Sequence, residues 1–147
     1  MLSQFLVGAL ISAINIGIHA LVTVVTVSIA RSAGLQATGR PRLHLMCVMV
    51  AVAAVLQVAH MLEILVWAGA YGIVQAASPD SGLLYFAFVN YTTLGYGDIT
   101  PVREWRLIGP LTAMNGVLLF GWSAAILFEV LCKTLDHLGM TEVTPFK

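Results

Sequence analysis

The residue types and spacing with the clearest chemical meaning lie at residues 92–98, where the chain reads Thr-Thr-Leu-Gly-Tyr-Gly-Asp. Neighbouring carbonyls of one strand can point to the same side only when φ alternates in sign, and glycine reaches positive φ without a steric penalty. Gly95 and Gly97 have the spacing for this alternation, with Tyr96 between them turned outward into packing. A row of carbonyls can replace the water around a cation. We therefore predict a cation-binding strand with the carboxylate of Asp98 at its end.

The composition of the chain indicates a membrane protein. Of the 147 residues, 59% are hydrophobic and 10% are charged, and the mean hydropathy is +0.93. Soluble domains carry about 25% charged residues, so this chain lies far outside that class. The formal net charge is zero, which gives no reason to expect a nucleic-acid partner. The length corresponds to a single domain.

Three apolar segments, at about residues 5–30, 43–74 and 107–132, are long enough to cross a bilayer. A transmembrane helix needs about 20 residues to span about 30 Å of hydrocarbon. The first segment is interpreted as a retained helix rather than a signal peptide, because residues 1–4 carry no basic side chain. The pattern predicts an all-α membrane protein with three transmembrane helices.

A shorter apolar piece at residues 82–91 lies between the second and third segments. The preceding residues 78–81 form a good helix start, in which Asp80 or Ser81 would be the N-cap. A short helix followed by glycine-rich backbone at membrane depth is a re-entrant loop. Such a loop must be buried in protein or line a water-filled path.

The basic residues predict an orientation in the membrane. Arg31, Arg40 and Arg42 lie between the first two segments, and Lys133 and Lys147 follow the third. The positive-inside rule then places the first link and the C-terminus in the cytoplasm and the N-terminus outside. We expect a multi-pass protein of a plasma or inner membrane.

From about residue 50 to 132, the chain resembles the pore module of potassium channels. The residues that carry this resemblance are the Thr-x-Gly-Tyr-Gly-Asp pattern, in which Leu94 stands where valine or isoleucine is more usual. The first helix has no counterpart in the minimal two-helix channels. The resemblance divides the chain into an N-terminal helix and link at 1–42, an outer helix at 43–75, a pore helix at 81–92, a selectivity filter at 93–98, an inner helix at 107–132 and a short tail at 133–147.

The resemblance implies a homotetramer in the lipid bilayer that conducts K⁺ passively and needs no cofactor beyond the permeant ions. Geometry independently requires several copies, because one filter strand cannot surround an ion and this chain has only one. Four copies would present carbonyl rings that bind K⁺ at Thr93, Leu94, Gly95 and Tyr96, with a ring of Thr93 hydroxyls below. The pore helices would aim their C-terminal ends, near Thr92, at a dehydrating cation.

The resemblance also raises the question of what holds Asp98 at the mouth of the filter. The aromatic pair of the family's pore helix is Tyr85-Phe86 here. Some relatives pair the aspartate with a glutamate, at the position of Val89, and others hold it with a tryptophan N–H, at the position of Phe86. Neither partner is present, so Asp98 is left with the hydroxyl of Tyr85 or with water. We expect such a filter to inactivate more readily or to pass some sodium.

Within the third segment, the resemblance assigns a hinge to Gly116, and the stretch up to Gly121 resembles the region where such helices bend. Phe128 would then lie on the cavity side as a gate, although simple helix packing explains it equally well. No transmembrane segment carries the regularly spaced arginines of a voltage sensor. Gating is expected in the filter, in the inner-helix bundle or through an unidentified partner.

Gln57, His60 and Glu63 recur every third residue of the second segment and are expected to share a face. His60 and Glu63 could form a hydrogen-bonded pair that His19 of the first segment joins. Ionisable groups at membrane depth are costly and favour a functional explanation, here a proton sensor. The favoured alternative is a polar contact that fixes the first helix against the second. A metal site is less favoured, because two ligands at this spacing are a weak signal.

Two smaller predictions concern side chains outside these groups. Glu129 and Lys133 are i, i+4 neighbours and are expected to pair. Cys47 and Cys132 lie in apolar stretches without ligand spacing and are interpreted as buried small apolar residues.

The leading functional prediction is a potassium-selective channel without a voltage-sensor or ligand-binding domain. One alternative is a weakly selective cation channel, because Leu94 and the missing partners of Asp98 could loosen the filter. Another is a non-conducting membrane subunit that serves only in assembly. An enzyme is not expected, because the sequence shows no nucleophile–base constellation and no phosphate loop.

Overall fold

The computed structural model describes residues 1–34, 39–78 and 81–140. The described residues form helices and connecting turns, with no β-strand among them. The prediction of an all-α fold is therefore confirmed. In chain order the helices are α1 (Leu2–Gly34), α2 (Pro41–Val74), α3 (Leu83–Tyr91) and α4 (Ile108–His137), with a 3₁₀ turn at Arg103–Trp105 before α4.

Three helical stretches are long and apolar enough to cross a membrane: Leu2–Ala30, Pro41–Val74 and Arg103–His137. They correspond to the three segments expected from the sequence, so the protein is a multi-pass membrane protein. Helix α3 has 9 residues, about 14 Å at 1.5 Å per residue, and is too short to span. It lies between α2 and α4, as expected of a re-entrant helix.

The helix ends differ from the predicted boundaries. Helix α2 begins at Pro41, because proline has no N–H and fits the first position of a helix. It ends at Val74, where Gln75 takes a left-handed conformation with φ of 53°. Helix α4 continues to His137, five residues past the predicted end at 132, so the predicted tail begins inside a helix.

The start of α3 corrects the predicted N-cap. Gly82 occupies that position and makes no side-chain capping bond. Ser81 instead donates its hydroxyl hydrogen to the carbonyl of Ser78, because the chain turns there before the helix begins. Asp80, the other predicted cap, lies outside the described residues.

Two apolar cores hold the long helices together. The first surrounds α3, where Trp67 and Tyr71 of α2 pack with Phe86; the Trp67–Tyr71 and Tyr71–Phe86 ring centroids are 6.0 and 5.1 Å apart. The second lies towards the other end of α2 and α4. Its buried residues are Val48, Val52, Leu56, Ile126 and Val130.

Helix α1 runs parallel to α4 and packs on both α2 and α4. Near its start, the side-chain oxygen of Gln4 accepts a hydrogen bond from the backbone N–H of Leu107 at 2.8 Å. One turn later, Gly8 faces Leu111, whose side chain leaves no room for a Cβ atom. The N-terminus of α1 therefore lies at the same end of the bundle as the N-terminus of α4. The placement of the 31–42 link and the C-terminus in the cytoplasm, with the N-terminus outside, stays a prediction.

Candidate functional site

The predicted filter strand has the alternating backbone that carbonyl coordination requires. Gly95 and Gly97 have φ values of +63° and +76°, whereas Leu94 and Tyr96 keep negative φ. The alternation extends one step further than the glycines indicate, because Thr93 also has positive φ, at 59°. Every second residue from 93 to 97 is therefore left-handed.

Thr93 takes this conformation as part of the C-terminal cap of α3. Its N–H bonds to the carbonyl of Asn90 at 3.1 Å, and the N–H of Leu94 bonds to the carbonyl of Val89 at 2.9 Å. These two bonds form a Schellman motif, in which the left-handed position is normally glycine. A β-branched residue there is strained. Sequence reasoning missed this strain, because nothing in the residue type indicates it.

The filter strand is open within a single chain. Leu94 and Tyr96 expose 53% and 68% of their surfaces, and the other residues from 92 to 98 are exposed as well. The sequence predicted that Tyr96 turns outward into packing. Within its own chain, Tyr96 has no such packing, because its side chain is exposed. The strand at residues 92–98 is therefore exposed to its surroundings along its whole length.

Asp98 is held by Tyr85, the first of the two partners that the sequence left open. The Tyr85 hydroxyl donates to Oδ2 of Asp98 at 2.8 Å, and this hydrogen bond to a carboxylate raises the pKa of Tyr85. Phe86 and Val89 point into the core and are buried. The bond ties the first turn of α3 to the outer end of the filter.

The other end of the pore helix rests directly on α4. A Cβ atom on Gly116 would overlap the backbone carbonyl of Tyr91, so no side chain fits at this position. Helix α4 remains regular through Gly116. Close packing thus explains this glycine, and its role as a hinge stays a prediction.

The other predicted gating residues, Gly121 and Phe128, are exposed. No atom lies within 4 Å of a Cβ placed on Gly121. Phe128 is 68% exposed, whereas its neighbours Ile126 and Val130 are buried against α2. Phe128 therefore lies on the face of α4 that turns away from its own chain, which leaves its gating role a prediction.

A buried polar cluster joins all four helices beneath the pore helix. Nδ1 of His19 lies 2.8 Å from Oε1 of Glu63, and Nδ1 of His60 lies 3.0 Å from Oε2. The predicted association of these three residues is confirmed. The structure adds Tyr91, whose hydroxyl donates to Oε2 of Glu63, and Ser123, whose hydroxyl lies 2.9 Å from Nε2 of His60 and 3.3 Å from Nε2 of His19.

Gln57 does not take part in this cluster, contrary to the expectation from its spacing. It is exposed, whereas His60 and Glu63 are buried. A helix turns by about 100° per residue, so steps of three drift by about 60° each. Two such steps carry Gln57 away from the face that Glu63 occupies.

An amide pair lies next to the cluster. Nδ2 of Asn15 donates to the carbonyl of Glu63 at 3.2 Å and to Oδ1 of Asn115 at 3.1 Å. The same oxygen accepts the indole N–H of Trp67 at 3.0 Å. These bonds fix α1 against α2 and α4.

A second series of hydrogen bonds connects the pore helix with α2 and α4. Asn90 donates to the Tyr71 hydroxyl at 3.3 Å, and that hydroxyl lies 2.6 Å from Oγ1 of Thr112. Thr112 in turn donates to the carbonyl of Ile108 at 2.8 Å. Because Thr112 donates its own hydrogen to Ile108, the Tyr71 hydroxyl must donate to Thr112. The donors therefore point in one direction, from α3 through α2 to α4. No spacing in the sequence pointed to these residues.

The smaller predictions have mixed outcomes. Glu129 and Lys133 form the expected ion pair at 2.7 Å. Cys47 is exposed and Cys132 is only partly buried, so the prediction of two buried cysteines is wrong. The reason is that apolar positions on a membrane helix face lipid as readily as they face protein.

Comparison with protein families gives one match. The family model described as "Ion channel" matches residues 45–133, which cover most of α2, all of α3, the glycine-rich strand and most of α4. Comparisons with curated proteins and with solved structures found no significant match. The matched region is more than half of the chain, and α1 lies outside it as an additional apolar helix. The protein is therefore an ion channel of the two-transmembrane, potassium-channel-type pore family.

Proposed function

We propose that the protein is a potassium-selective channel that conducts K⁺ passively through a filter formed by Thr93, Leu94, Gly95, Tyr96 and Gly97. The observation that carries the proposal is the alternation of φ, with values of 59°, +63° and +76° at every second residue. This backbone can direct successive carbonyls to one side, where they replace the hydration shell of a dehydrated cation. No cofactor other than the permeant ion is needed.

The channel is proposed to be a homotetramer. One strand supplies only one carbonyl to each ring of oxygens, so several copies must converge on an axis. Exposed side chains at Leu94 and Tyr96 support this arrangement, because they have no partner in their own chain. The C-terminal end of α3 leads directly into the filter, so its dipole favours a cation there.

Selectivity for K⁺ over Na⁺ requires that the filter keep its shape. The Tyr85–Asp98 hydrogen bond supports such rigidity, since it ties the outer end of the filter to the pore helix. Both side chains are exposed, and the buried Phe86 and Val89 offer no second clamp. A weakly selective cation channel is therefore the second candidate.

The test is reconstitution of the purified chain into liposomes with a K⁺ gradient. We expect K⁺ flux that Ba²⁺ blocks, and a reversal potential in mixed K⁺ and Na⁺ that follows the K⁺ gradient. Assembly into tetramers without flux would overturn the proposal in favour of a non-conducting assembly subunit. A reversal potential that follows both cations would favour the weakly selective channel.

A matched pair of glycine variants separates filter geometry from general damage. Gly95→Ala places a Cβ at a φ of +63° and should abolish flux. Gly69→Ala is the control, because Gly69 is exposed on α2 and no atom lies within 4 Å of its Cβ position. Equal flux through both variants would contradict a carbonyl filter.

A further inference from the structure

Helix α1 reaches the base of the filter strand through one buried carboxyl group. Nδ1 of His19 on α1 lies 2.8 Å from Oε1 of Glu63 on α2. The other oxygen, Oε2, accepts a hydrogen bond from the hydroxyl of Tyr91, the last residue of α3. Thr93 follows Tyr91 by two residues. A single side chain, that of Glu63, therefore lies between the additional helix and the end of the pore helix.

The two oxygens of Glu63 differ in their partners. Oε2 contacts the Tyr91 hydroxyl and also Nδ1 of His60 at 3.0 Å, and these two partners lie 3.0 Å from each other. For Oε1, the described residues show His19 alone. A carboxylate accepts hydrogen bonds and has none to donate, so His19 donates through Nδ1. His60 lies on the same helix as Glu63, which leaves His19 as the donor that α1 brings to the carboxylate.

The His19 donor determines how the carboxylate of Glu63 is turned. The last torsion of a glutamate side chain has a broad distribution, so its value is set by the donors at the two oxygens. Both His19 and Glu63 are 0% exposed, which keeps bulk water from replacing a lost donor. When His19 no longer donates, the carboxylate turns towards its remaining donors, and the acceptor for the Tyr91 hydroxyl changes its direction.

Tyr91 lies inside the turn that begins the filter. The N–H of Thr93 bonds to the carbonyl of Asn90 at 3.1 Å and closes this turn around Tyr91. The Tyr91 ring packs edge-on against Phe120, with centroids 5.4 Å apart, and its carbonyl lies against Gly116. A strained residue such as Thr93 keeps its conformation only where its surroundings over-determine it. The Tyr91 hydroxyl supplies the directional restraint from the side of α2.

We propose that His19 is a positioning residue of the filter: it orients the Glu63 carboxylate towards Tyr91, and Tyr91 fixes the turn that holds Thr93. The additional helix thereby contributes to the selectivity of the channel. In this respect the role of His19 rests on the proposed potassium-selective function.

The other polar contacts of α1 in this region hold helices together without touching the carboxylate. Asn15 donates to the backbone carbonyl of Glu63 and to the side chain of Asn115. Nε2 of His19 lies 3.3 Å from the Ser123 hydroxyl on α4. The two ring nitrogens of His19 thus have different roles, since Nε2 contacts the inner helix and Nδ1 contacts the carboxylate that accepts from the pore helix.

A matched pair of variants at His19 separates these two nitrogens. The amide of asparagine branches where the imidazole carries Nδ1, and the amide nitrogen of glutamine reaches the position of Nε2. His19→Asn therefore keeps a donor for Glu63, and His19→Gln keeps the contact with Ser123. Reversal potentials of the full chain in bilayers, with K⁺ on one side and Na⁺ on the other, give the K⁺/Na⁺ permeability ratio of each variant.

We expect His19→Gln to lower the permeability ratio by about threefold or more, because a hydrogen bond to a charged group is among the stronger ones in a protein. His19→Asn should keep the wild-type ratio. Each variant loses one of the two contacts of His19, so both should unfold at lower temperature in detergent than the wild type. Gly17→Ala is the control on α1, since Gly17 is exposed and its Cβ position is open.

The outcomes distinguish positioning from simple helix packing. A wild-type ratio in His19→Gln, or an equal loss in His19→Asn and His19→Gln, would overturn the positioning role while K⁺ flux in the wild type upheld the proposed function. A wild type without K⁺ flux would overturn the proposed function and this role with it.

Tyr91→Phe removes the same hydrogen bond from the side of the filter. We expect it to lower the permeability ratio as well, and the double variant with His19→Gln to be no lower than Tyr91→Phe alone, because both changes act on one contact. Effects of the two changes that multiply would show independent roles and overturn the proposal. A wild-type ratio in Tyr91→Phe would overturn it even if His19→Gln did not assemble.

Discussion

Gly116 of the inner helix lies directly against the backbone carbonyl of Tyr91, so close that a Cβ atom on Gly116 would overlap the carbonyl oxygen. Tyr91 is the last residue of the pore helix, and its side chain donates to the buried Glu63. The backbone of Tyr91 therefore contacts α4, and its side chain contacts the buried polar cluster.

The first prediction follows from this contact. Gly116→Ala should lower the stability of the protein by about 1–3 kcal/mol or more, because the added methyl group must push α4 away from rigid backbone. Gly121→Ala on the same helix is the control and should be neutral or slightly stabilising, since its Cβ position is open and alanine favours helix. Thermal unfolding in detergent measures both. If Gly116 served only as a hinge, the two variants would unfold alike and differ only in open probability.

The second prediction concerns the mouth of the filter. Tyr85→Phe removes the only hydrogen bond that the described residues show for Asp98, so we expect faster inactivation or a lower K⁺/Na⁺ selectivity. Tyr91→Phe is not a suitable control, because it removes a hydrogen bond to the buried Glu63. Leu84→Ala is suitable, since Leu84 is exposed next to Tyr85 and its side chain has no hydrogen-bond donor for Asp98. Unchanged reversal potentials and stable currents in Tyr85→Phe would show that water holds Asp98 equally well.

The same hydrogen bond has a defined pH dependence. The pKa of Tyr85 is raised above its ordinary value of 10.0 because its neutral form donates to the Asp98 carboxylate. The contribution of the bond is thus fully present below the ordinary value and is lost as the pH rises through the raised one. Tyrosinate absorbance should therefore titrate later in the wild type than a solvent-exposed tyrosine would. The difference spectrum against Tyr85→Phe isolates this group, and an ordinary titration in it would contradict the bond.

The third prediction concerns strain at the start of the filter. Thr93→Gly should stabilise the fold by about 1–2 kcal/mol, because glycine has no penalty at a φ of 59°. It should also reduce K⁺ conduction, since the ring of hydroxyls is lost. Thr93→Ala loses the hydroxyl but keeps the strain, and so should reduce conduction without the gain in stability. Equal stabilities of the two variants would show that residue 93 is not strained.

The fourth prediction concerns Glu63 in the buried polar cluster. Glu63→Gln should lower stability by about 3–5 kcal/mol, because it removes the anion that the two buried histidines share. Gln57→Ala is the control on the same helix and should change stability by no more than about 0.5 kcal/mol, since Gln57 is exposed. Denaturation monitored in detergent at pH 7 compares them. A small effect in Glu63→Gln would contradict a buried ionised carboxylate.

The sequence by itself determined the parts of the protein that depend on local pattern. Long apolar runs specify membrane helices whatever their neighbours are, so α1, α2 and α4 could be predicted to within a few residues. Positive φ at Gly95 and Gly97 could be predicted in the same way, because only glycine takes that conformation freely. The C-terminal end of α4 could not be predicted, because its last turns contain polar residues that a hydropathy pattern assigns to a tail.

Tertiary structure alone decided which polar groups meet. Glu63 bonds to His19 across 44 positions of sequence, and Ser123 reaches His19 across 104. Such contacts depend on helix rotation and depth, which composition does not encode; this is why Gln57 was wrongly included and Ser123 was overlooked. The left-handed Thr93 and the closely packed Gly116 have the same origin, because both are set by how the pore helix ends against α4 rather than by the residues beside them in sequence.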